Sequence, residues 1–296
     1  MERTEVEAIL DRAEALLPAV DGTRKATQIQ ESAVFGLVFL EDSTRTRLSF
    51  ETAIHRLGQR AVAMTSTGSS TSKGESLVDT ARNVAAMGVQ GLVVRCRQSG
   101  GAARIADEVD VPVVNAGDGR HEHPTQGLLD AAALRSRLGS LEGRRILIVG
   151  DIGNSRVARS DIYSFTALGA AVTLVGPPSM VPWHLASLGH SIVVSHELDP
   201  VLDQADAVVT LRIQRERSSS GTVPSDYREG FGLTKDRCRN LRREVPILHP
   251  GPANRGVEID DGVLEDASRC LVLDQVRHGV AVRMAVLERA MAGASG

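Results

Sequence analysis

Residues suited to chemistry gather in short polar strings that follow apolar runs. The densest string is Ser43-Thr44-Arg45-Thr46-Arg47, just after the apolar run at 36–40. Ser43 or Thr44 can cap a helix that begins at once. The free N–H groups of a helix start, with hydroxyls and the Arg45 guanidinium beside them, make a ready anion site. Arg95 stands beyond another apolar run and can join Arg45 in a bidentate clamp on a dianion, with Ser43, Thr44 and Thr46 as neutral donors. His123 precedes Pro124, a residue favoured in the first helical position. The positive end of that helix favours a neutral imidazole that can donate to an oxygen gaining charge. Gln126 shares the same helical face three residues on. Arg156 and Arg212 follow later apolar runs and are expected at the carboxyl edge of a second sheet, where α/β proteins bind ligands. Two arginines there suit a dicarboxylate. Arg159, Arg215 and Arg217 read as supporting residues around them. His249-Pro250-Gly251-Pro252 predicts a tight non-helical turn at a strand end, with exposed carbonyls able to accept hydrogen bonds.

Two further polar features carry weaker signals. The histidine pair His121/His123 has no evident third ligand, so no metal site is expected. Lys73 closes a polar loop at 67–73, but its order is Lys-Gly rather than Gly-Lys-Ser/Thr, and a Walker A loop is excluded.

The elements that must hold these residues alternate along the chain. Short apolar runs at 36–40, 61–64, 91–94, 111–114, 145–149, 171–175, 207–211 and 246–248 predict buried strands. Segments of helical period at 47–57, 76–87, 126–138 and 157–168 predict helices between them. Such alternation predicts an α/β fold of two doubly wound parallel-sheet domains, with the active site in the cleft between them. Gly139-Ser140-Leu141-Glu142-Gly143 marks the start of the second domain. The expected division is 1–138 and 139–276, with a final helix in 277–296 crossing back to the first domain. Ser218-Ser219-Ser220-Gly221 reads as a mobile polar loop.

Composition narrows the function class. The 296 residues carry 34 Lys+Arg against 37 Asp+Glu, a net charge of −3 that argues against a generally basic nucleic-acid binder. Aromatic residues make up 3%, too few for base-stacking platforms, so the core must be aliphatic. Cys96, Cys238 and Cys270 lack CxxC spacing, which suits a reducing compartment. No apolar run approaches membrane-spanning length, and the acidic start at 1–5 is unlike a signal peptide. A cytoplasmic protein with no membrane partner is expected.

Several blocks together resemble the aspartate/ornithine carbamoyltransferase family. They are Ser43 through Arg47 with Ser49-Phe50-Glu51, Ser72-Lys73-Gly74-Glu75-Ser76, Val94-Arg95, Asn115 through Gly119, and His123-Pro124-Thr125-Gln126. Further along stand Gly150-Asp151 with Ser155 through Ser160, Leu211 through Arg217, His249-Pro250-Gly251-Pro252, and Gly279 through Ala285. The resemblance runs from about residue 39 to 287, in the family's order. It implies that Ser43, Thr44, Arg45, Thr46, Arg95, His123, Gln126, Gly251 and Pro252 bind carbamoyl phosphate. Arg45, Thr46, Lys73, Arg95, His123 and Gln126 would act in catalysis. Lys73, Arg156, Arg212 and Gln214 would bind aspartate. It further implies carbamoyl transfer to the aspartate amine in pyrimidine synthesis, no metal or organic cofactor, and a homotrimer in which Lys73 reaches a neighbouring subunit's site. Regulatory or dihydroorotase-like partner chains stay open.

Rival readings are weighed on the same residues. Val149-Gly150-Asp151-Ile152-Gly153 is half a dinucleotide fingerprint, but the third glycine is missing. The next strand ends Val175-Gly176-Pro177-Pro178, without the acid that would hold a ribose. Ornithine-type enzymes carry Ser-Met-Gly and His-Cys-Leu-Pro motifs. Here Ser179-Met180 is followed by Val181, and the turn holds Gly251-Pro252. A carbamoyltransferase recruited to another amine, or a non-catalytic binding homologue, remains as the alternative. Arg97, Asn154 and His278 depart from the family pattern at positions without a direct substrate role.

Overall fold

A computed structural model describes residues 1–25, 32–65, 74–213 and 225–294. The chain divides into two compact units. An N-terminal unit takes Glu7–Leu129 with Val276–Gly296, and a C-terminal unit takes Asp130–Gln275 with Met1–Val6. The division falls inside one helix, between Leu129 and Asp130.

The N-terminal unit is built on four parallel strands, β1 (Val34–Phe39), β2 (Arg60–Thr65), β3 (Gly91–Cys96) and β4 (Val113–Asp118), in the order β2-β1-β3-β4. Helices α2 (Thr44–Arg56), α3 (Leu77–Ala86) and α4 (Gly101–Ala106) make the crossovers, α1 (Arg3–Val20) lies ahead of β1, and α5 (Pro124–Leu138) follows β4. Central strands covered on both faces read as continuous apolar runs, and β1 and β3 are buried along almost their whole lengths. The edge strand β2 keeps little of that burial. Val38, Ala81, Val84, Leu92, Val94 and Ile105 form the core between β1, β3 and their helices. Gly36 is required by packing, since a Cβ there would meet Val84 at 2.7 Å and Leu92 at 2.9 Å.

The C-terminal unit carries β5 (Arg145–Val149), β6 (Ala171–Val175), β7 (Ile192–Ser195), β8 (Ala207–Thr210) and β9 (Ile247–Leu248), all parallel, ordered β7-β6-β5-β8-β9. The strand order reverses across β5, the arrangement that opens a crevice at the carboxyl ends of the strands. Helix α6 (Arg156–Ala167) follows β5. The short helices α7 (Asp199–Leu202), α8 (Tyr227–Phe231), α9 (Lys235–Asn240) and α10 (Asp261–Leu264) surround β8 and β9 in sequence, and α11 (Val272–Ala294) ends the chain. Leu147, Val149, Val208, Leu233, Ile247 and Ile259 form the core of this unit.

The parallel α/β architecture expected from the alternation is present in both units, with shifted boundaries. The fourth strand runs Val113–Asp118, later than the apolar run at 111–114, because Asn115 and Asp118 sit in the ladder and bond locally there. Strand β7 was not expected. The strand is only four residues long and Val193 is exposed on it, so only Ile192 and Val194 carry the buried signal. The last helix begins at Val272, before the expected 277–296, and its residues from Val276 group with the N-terminal unit. The polar segments 67–73 and 218–221 lie outside the described residues.

Candidate active site

In the N-terminal unit the polar residues converge on the carboxyl ends of β1, β3 and β4. Phe39, the last residue of β1, is in register with Arg95 of β3, and Leu40 N–H donates to the Arg95 carbonyl at 2.9 Å. The chain turns there and starts α2 at Thr44. Ser43 is the N-cap, with extended backbone (φ −164°, ψ 102°), yet its hydroxyl makes no capping hydrogen bond. Capping by the side chain was the sequence expectation. The structure instead leaves the Ser43 hydroxyl out of the cap, and N–H groups at a helix start suit an anion. Thr44 and Arg45 are exposed on this turn, and Thr46 is buried.

Arg95 lies inside β3 as its penultimate residue, not beyond the strand as the sequence suggested. Its position in the ladder fixes the backbone. The side chain donates from Nη1 to the Ala116 carbonyl at 3.2 Å, and its Nε lies 3.8 Å from Glu41 Oε2. His123 directly precedes Pro124, the first residue of α5, and Gln126 N–H donates to the His123 carbonyl at 2.8 Å. His123 Nε2 sits 3.4 Å from Thr46 Oγ1, and both residues are almost fully buried. Gln126 is buried on the first turn of α5. The fold therefore joins Thr46 and His123 directly, although 77 residues separate them. The other histidine, His121, is turned to Asp118, with Nδ1 3.0 Å from Oδ2.

Arg283 of α11 had no role assigned from sequence. It is buried in this unit, donates to Ser49 Oγ at 2.8 Å and lies over the Phe50 ring at 5.1 Å from its centroid. Both partners belong to α2, so Arg283 braces that helix.

In the C-terminal unit the loops after β5, β8 and β9 are neighbours, because β5 and β9 flank β8. Arg156 opens α6 and is buried, with Ser155 as N-cap accepting from Ala158 N–H at 3.1 Å. Asn154 Nδ2 donates to both Asp151 oxygens at 3.0 and 3.1 Å, which shapes the loop before it. Gly150 (φ +136°) passes so close to Leu211 that a Cβ would meet its side chain at 3.0 Å and its carbonyl at 3.2 Å. Arg212 is half-buried just past β8, between the buried Leu211 and Ile213. Arg159, also on α6, is half-buried. Lys73, Gln214, Arg215 and Arg217 lie outside the described residues.

The turn after β9 is a built feature. Gly251 takes φ +66° and is followed by a cis bond to Pro252. Gly251 N–H donates to His249 Nδ1 at 2.8 Å, and His249 N–H donates to Gln275 Oε1 at 3.0 Å. Gln275 Nε2 in turn donates to Asp130 Oδ1 at 2.6 Å. Asp161, fully buried on α6, neighbours Asp130. Burial and the Asp130 charge push the Asp161 carboxyl well above the usual carboxylate range. Burial, with Glu258 and Asp151 nearby, likewise raises the Tyr227 phenol. Sequence reasoning missed Asp130, Asp161, Glu258 and Gln275. Isolated acids and amides carry no local pattern, and only their burial marks them.

Two parallel α/β units, one with hydroxyls and Arg45 at a helix start and the other with buried or half-buried arginines at its strand ends, suit a group-transfer enzyme. A family model described as "Aspartate/ornithine carbamoyltransferase, carbamoyl-P binding domain" matches residues 1–136, and one described as "Aspartate/ornithine carbamoyltransferase, Asp/Orn binding domain" matches residues 142–290. The chain belongs to the aspartate/ornithine carbamoyltransferase family. It is 49% identical to the aspartate carbamoyltransferase catalytic subunit of Myxococcus xanthus over 97% of this chain and 95% of that one. Among solved structures it resembles aspartate transcarbamoylase from Trypanosoma cruzi in complex with carbamoyl phosphate and aspartate. That match has a TM-score of 0.87 at 28% identity, covering 97% of this chain and 93% of the other. Ornithine carbamoyltransferase from Pyrococcus furiosus also matches, with a TM-score of 0.87 at 25% identity over 99% of this chain and 95% of the other.

Proposed function

We propose that this protein transfers the carbamoyl group of carbamoyl phosphate to the amine of L-aspartate, giving N-carbamoyl-L-aspartate and phosphate in de novo pyrimidine synthesis. The aspartate nitrogen attacks the carbamoyl carbon, the bond from that carbon to the phosphate oxygen breaks, and the departing phosphate can accept the amine proton. The observation that carries the reading is the buried pair of Thr46 and His123, 3.4 Å apart, beside the first turn of α2. A helix start and hydroxyls there suit a phosphate, and an imidazole ahead of α5 suits a carbonyl oxygen gaining charge.

Residues 1–138 with 277–296 serve the phosphate substrate, and residues 139–276 serve aspartate. Ser43, Thr44, Arg45, Thr46 and Arg95 hold the phosphate, while His123, Gln126 and the Gly251-Pro252 carbonyls hold the carbamoyl group. Arg156, Arg212 and Gln214 read the two carboxylates, in keeping with the names of the Myxococcus xanthus and Trypanosoma cruzi relatives. The working form is a cytoplasmic homotrimer in which Lys73 completes a neighbouring subunit's site. Among the described residues, no helix is long and apolar enough to cross a membrane.

An acceptor screen tests the reading. Phosphate release from carbamoyl phosphate is followed with aspartate, ornithine and other amines, and aspartate should be preferred by a wide margin. Preference for ornithine or another monocarboxylate amine would overturn it.

A further inference from the structure

Arg212 lies beyond the last paired residues of its strand. The register of β8 with β9 ends at Val209 and Leu248, and with β5 at Val149 and Thr210. Leu211 N–H still donates to the Val149 carbonyl at 2.8 Å, which tethers the chain on one side of Arg212. The tether on the other side comes from the turn after β9. Asn254 Nδ2–H donates to the Ile213 carbonyl at 3.2 Å. Asn254 is itself fixed by Glu258, with its N–H 2.5 Å from Oε1 and its Nδ2 3.2 Å from Oε2.

Glu258 is fully buried, and Oε1 also lies 3.3 Å from His249 Nε2. Because His249 Nδ1 accepts from Gly251 N–H, the ring proton resides on Nε2 and is donated to Glu258. One buried carboxylate thus gathers donors from His249 and Asn254. Through them it joins the Gly251-Pro252 turn to the Ile213 carbonyl, one residue from Arg212.

We propose that Asn254 and Glu258 are positioning residues for acceptor binding, holding Arg212 in register with the Gly251-Pro252 turn. The inference rests on the aspartate reading above. It assigns to these residues an effect on acceptor affinity rather than on carbamoyl-phosphate binding, since the link that Asn254 and Glu258 share ends at the Ile213 carbonyl beside Arg212, while the Gly251-Pro252 turn keeps its own bond to His249. A mobile Arg212 must be ordered when the substrate carboxylate arrives. A tethered Arg212 has met that entropic cost in folding.

Glu258→Gln separates this role from general support of the turn. Its amide oxygen can keep the bonds to His249 and the Asn254 N–H. Its NH₂ then faces Asn254 Nδ2, donor against donor. If the Asn254 amide turns over to relieve this, its oxygen faces the Ile213 carbonyl instead. With the amide turned over the Ile213 tether is lost, and with the amide as it stands the tether loses its anchor on residue 258, while the Gly251-Pro252 turn is kept in both. Asn254→Ala removes the same tether from the other side.

The experiment measures steady-state phosphate release by the full chain with each substrate varied in turn. Wild type is run first. Absence of aspartate-dependent release would count against the functional reading, and the same series would then use the amine found by the acceptor screen. Asn254→Ala and Glu258→Gln should each raise the acceptor KM by roughly tenfold, leaving kcat and the carbamoyl-phosphate KM within about threefold. The double variant should be no worse than the poorer single one, because both remove one shared link. Melting temperatures are recorded for all three, and Asn254→Ala alone decides the matter should Glu258→Gln fail to fold. An unchanged acceptor KM, equal losses in all kinetic constants, or additive effects in the double variant would overturn the proposal.

Discussion

Replacing Asp161 by Asn should change how stability depends on pH. Asp161 is fully buried, no described group donates to either of its oxygens, and Asp130 opposes its ionisation. Its carboxyl therefore titrates well above 3.8 in the native protein and near 3.8 in the unfolded chain. Between those two values the native state binds one more proton than the unfolded state. The stability from this group is complete below the unfolded value and is lost as pH rises through the window. The loss is about 1.4 kcal/mol per pH unit, levelling off above the native pKa. Against a typical domain stability of about 5–15 kcal/mol, a slope of that size is readily measured inside the window. Asn is uncharged and of the same shape, so Asp161→Asn removes the pH-dependent part and leaves the packing. Urea unfolding of both proteins at half-unit steps from pH 4 to 9, read by circular dichroism, gives the difference profile. Titrating groups other than Asp130, which is coupled to Asp161, cancel to first order. The variant should gain relative to wild type steadily as pH rises, then hold a constant difference. Parallel profiles would mean that the Asp161 carboxyl is not raised, and the argument from burial beside Asp130 would fail.

The remaining predictions concern the chemistry. Arg45→Ala should lower kcat by roughly 100-fold or more, because a clamp on the leaving phosphate strengthens as charge develops there; activity within a few-fold of wild type would remove Arg45 from the site. Arg156→Ala or Arg212→Ala should each raise aspartate KM by roughly 10- to 150-fold, the worth of one charged hydrogen-bond pair of about 1.5–3 kcal/mol, with carbamoyl-phosphate KM nearly unchanged. A bisubstrate compound joining a phosphonate to aspartate should lose most of its affinity for Arg212→Ala, as titration calorimetry would report. Lys73→Ala and Arg45→Ala chains should each be nearly inactive alone, and hybrids formed from both should regain activity if Lys73 serves a neighbouring subunit. No recovery in verified hybrids would place both residues in one chain's site.

Much of the molecule was legible because local rules and tertiary demands agreed. Runs such as 146–149 and 91–94 are apolar throughout because parallel strands are covered on both faces, and that pattern survives in sequence. Pro124 marked the start of α5, and the polar string at 43–47 marked the start of α2. Strand β7 escaped notice because an edge strand with Val193 exposed has too few buried residues to form a run. Arg95 was placed just beyond the strand since a charged residue breaks an apolar pattern, yet it lies inside β3, next to its last residue, with its side chain tied to Ala116 and Glu41.

The sequence by itself determined the class of fold, the order of the polar strings along it, and the chemical types available for holding an anion and a dicarboxylate. Those properties are local: residue type, spacing and the period of burial. Tertiary structure decided which strings meet. Thr46 touches His123 only because β1 and β4 flank β3 in one sheet. The network from Asp161 and Asp130 through Gln275 to His249, and from Glu258 through Asn254 to Ile213, brings together acids and amides that have no shared motif. A buried polar group must find a partner wherever the fold provides one. Such a partner depends on distance in space, which sequence separation does not encode.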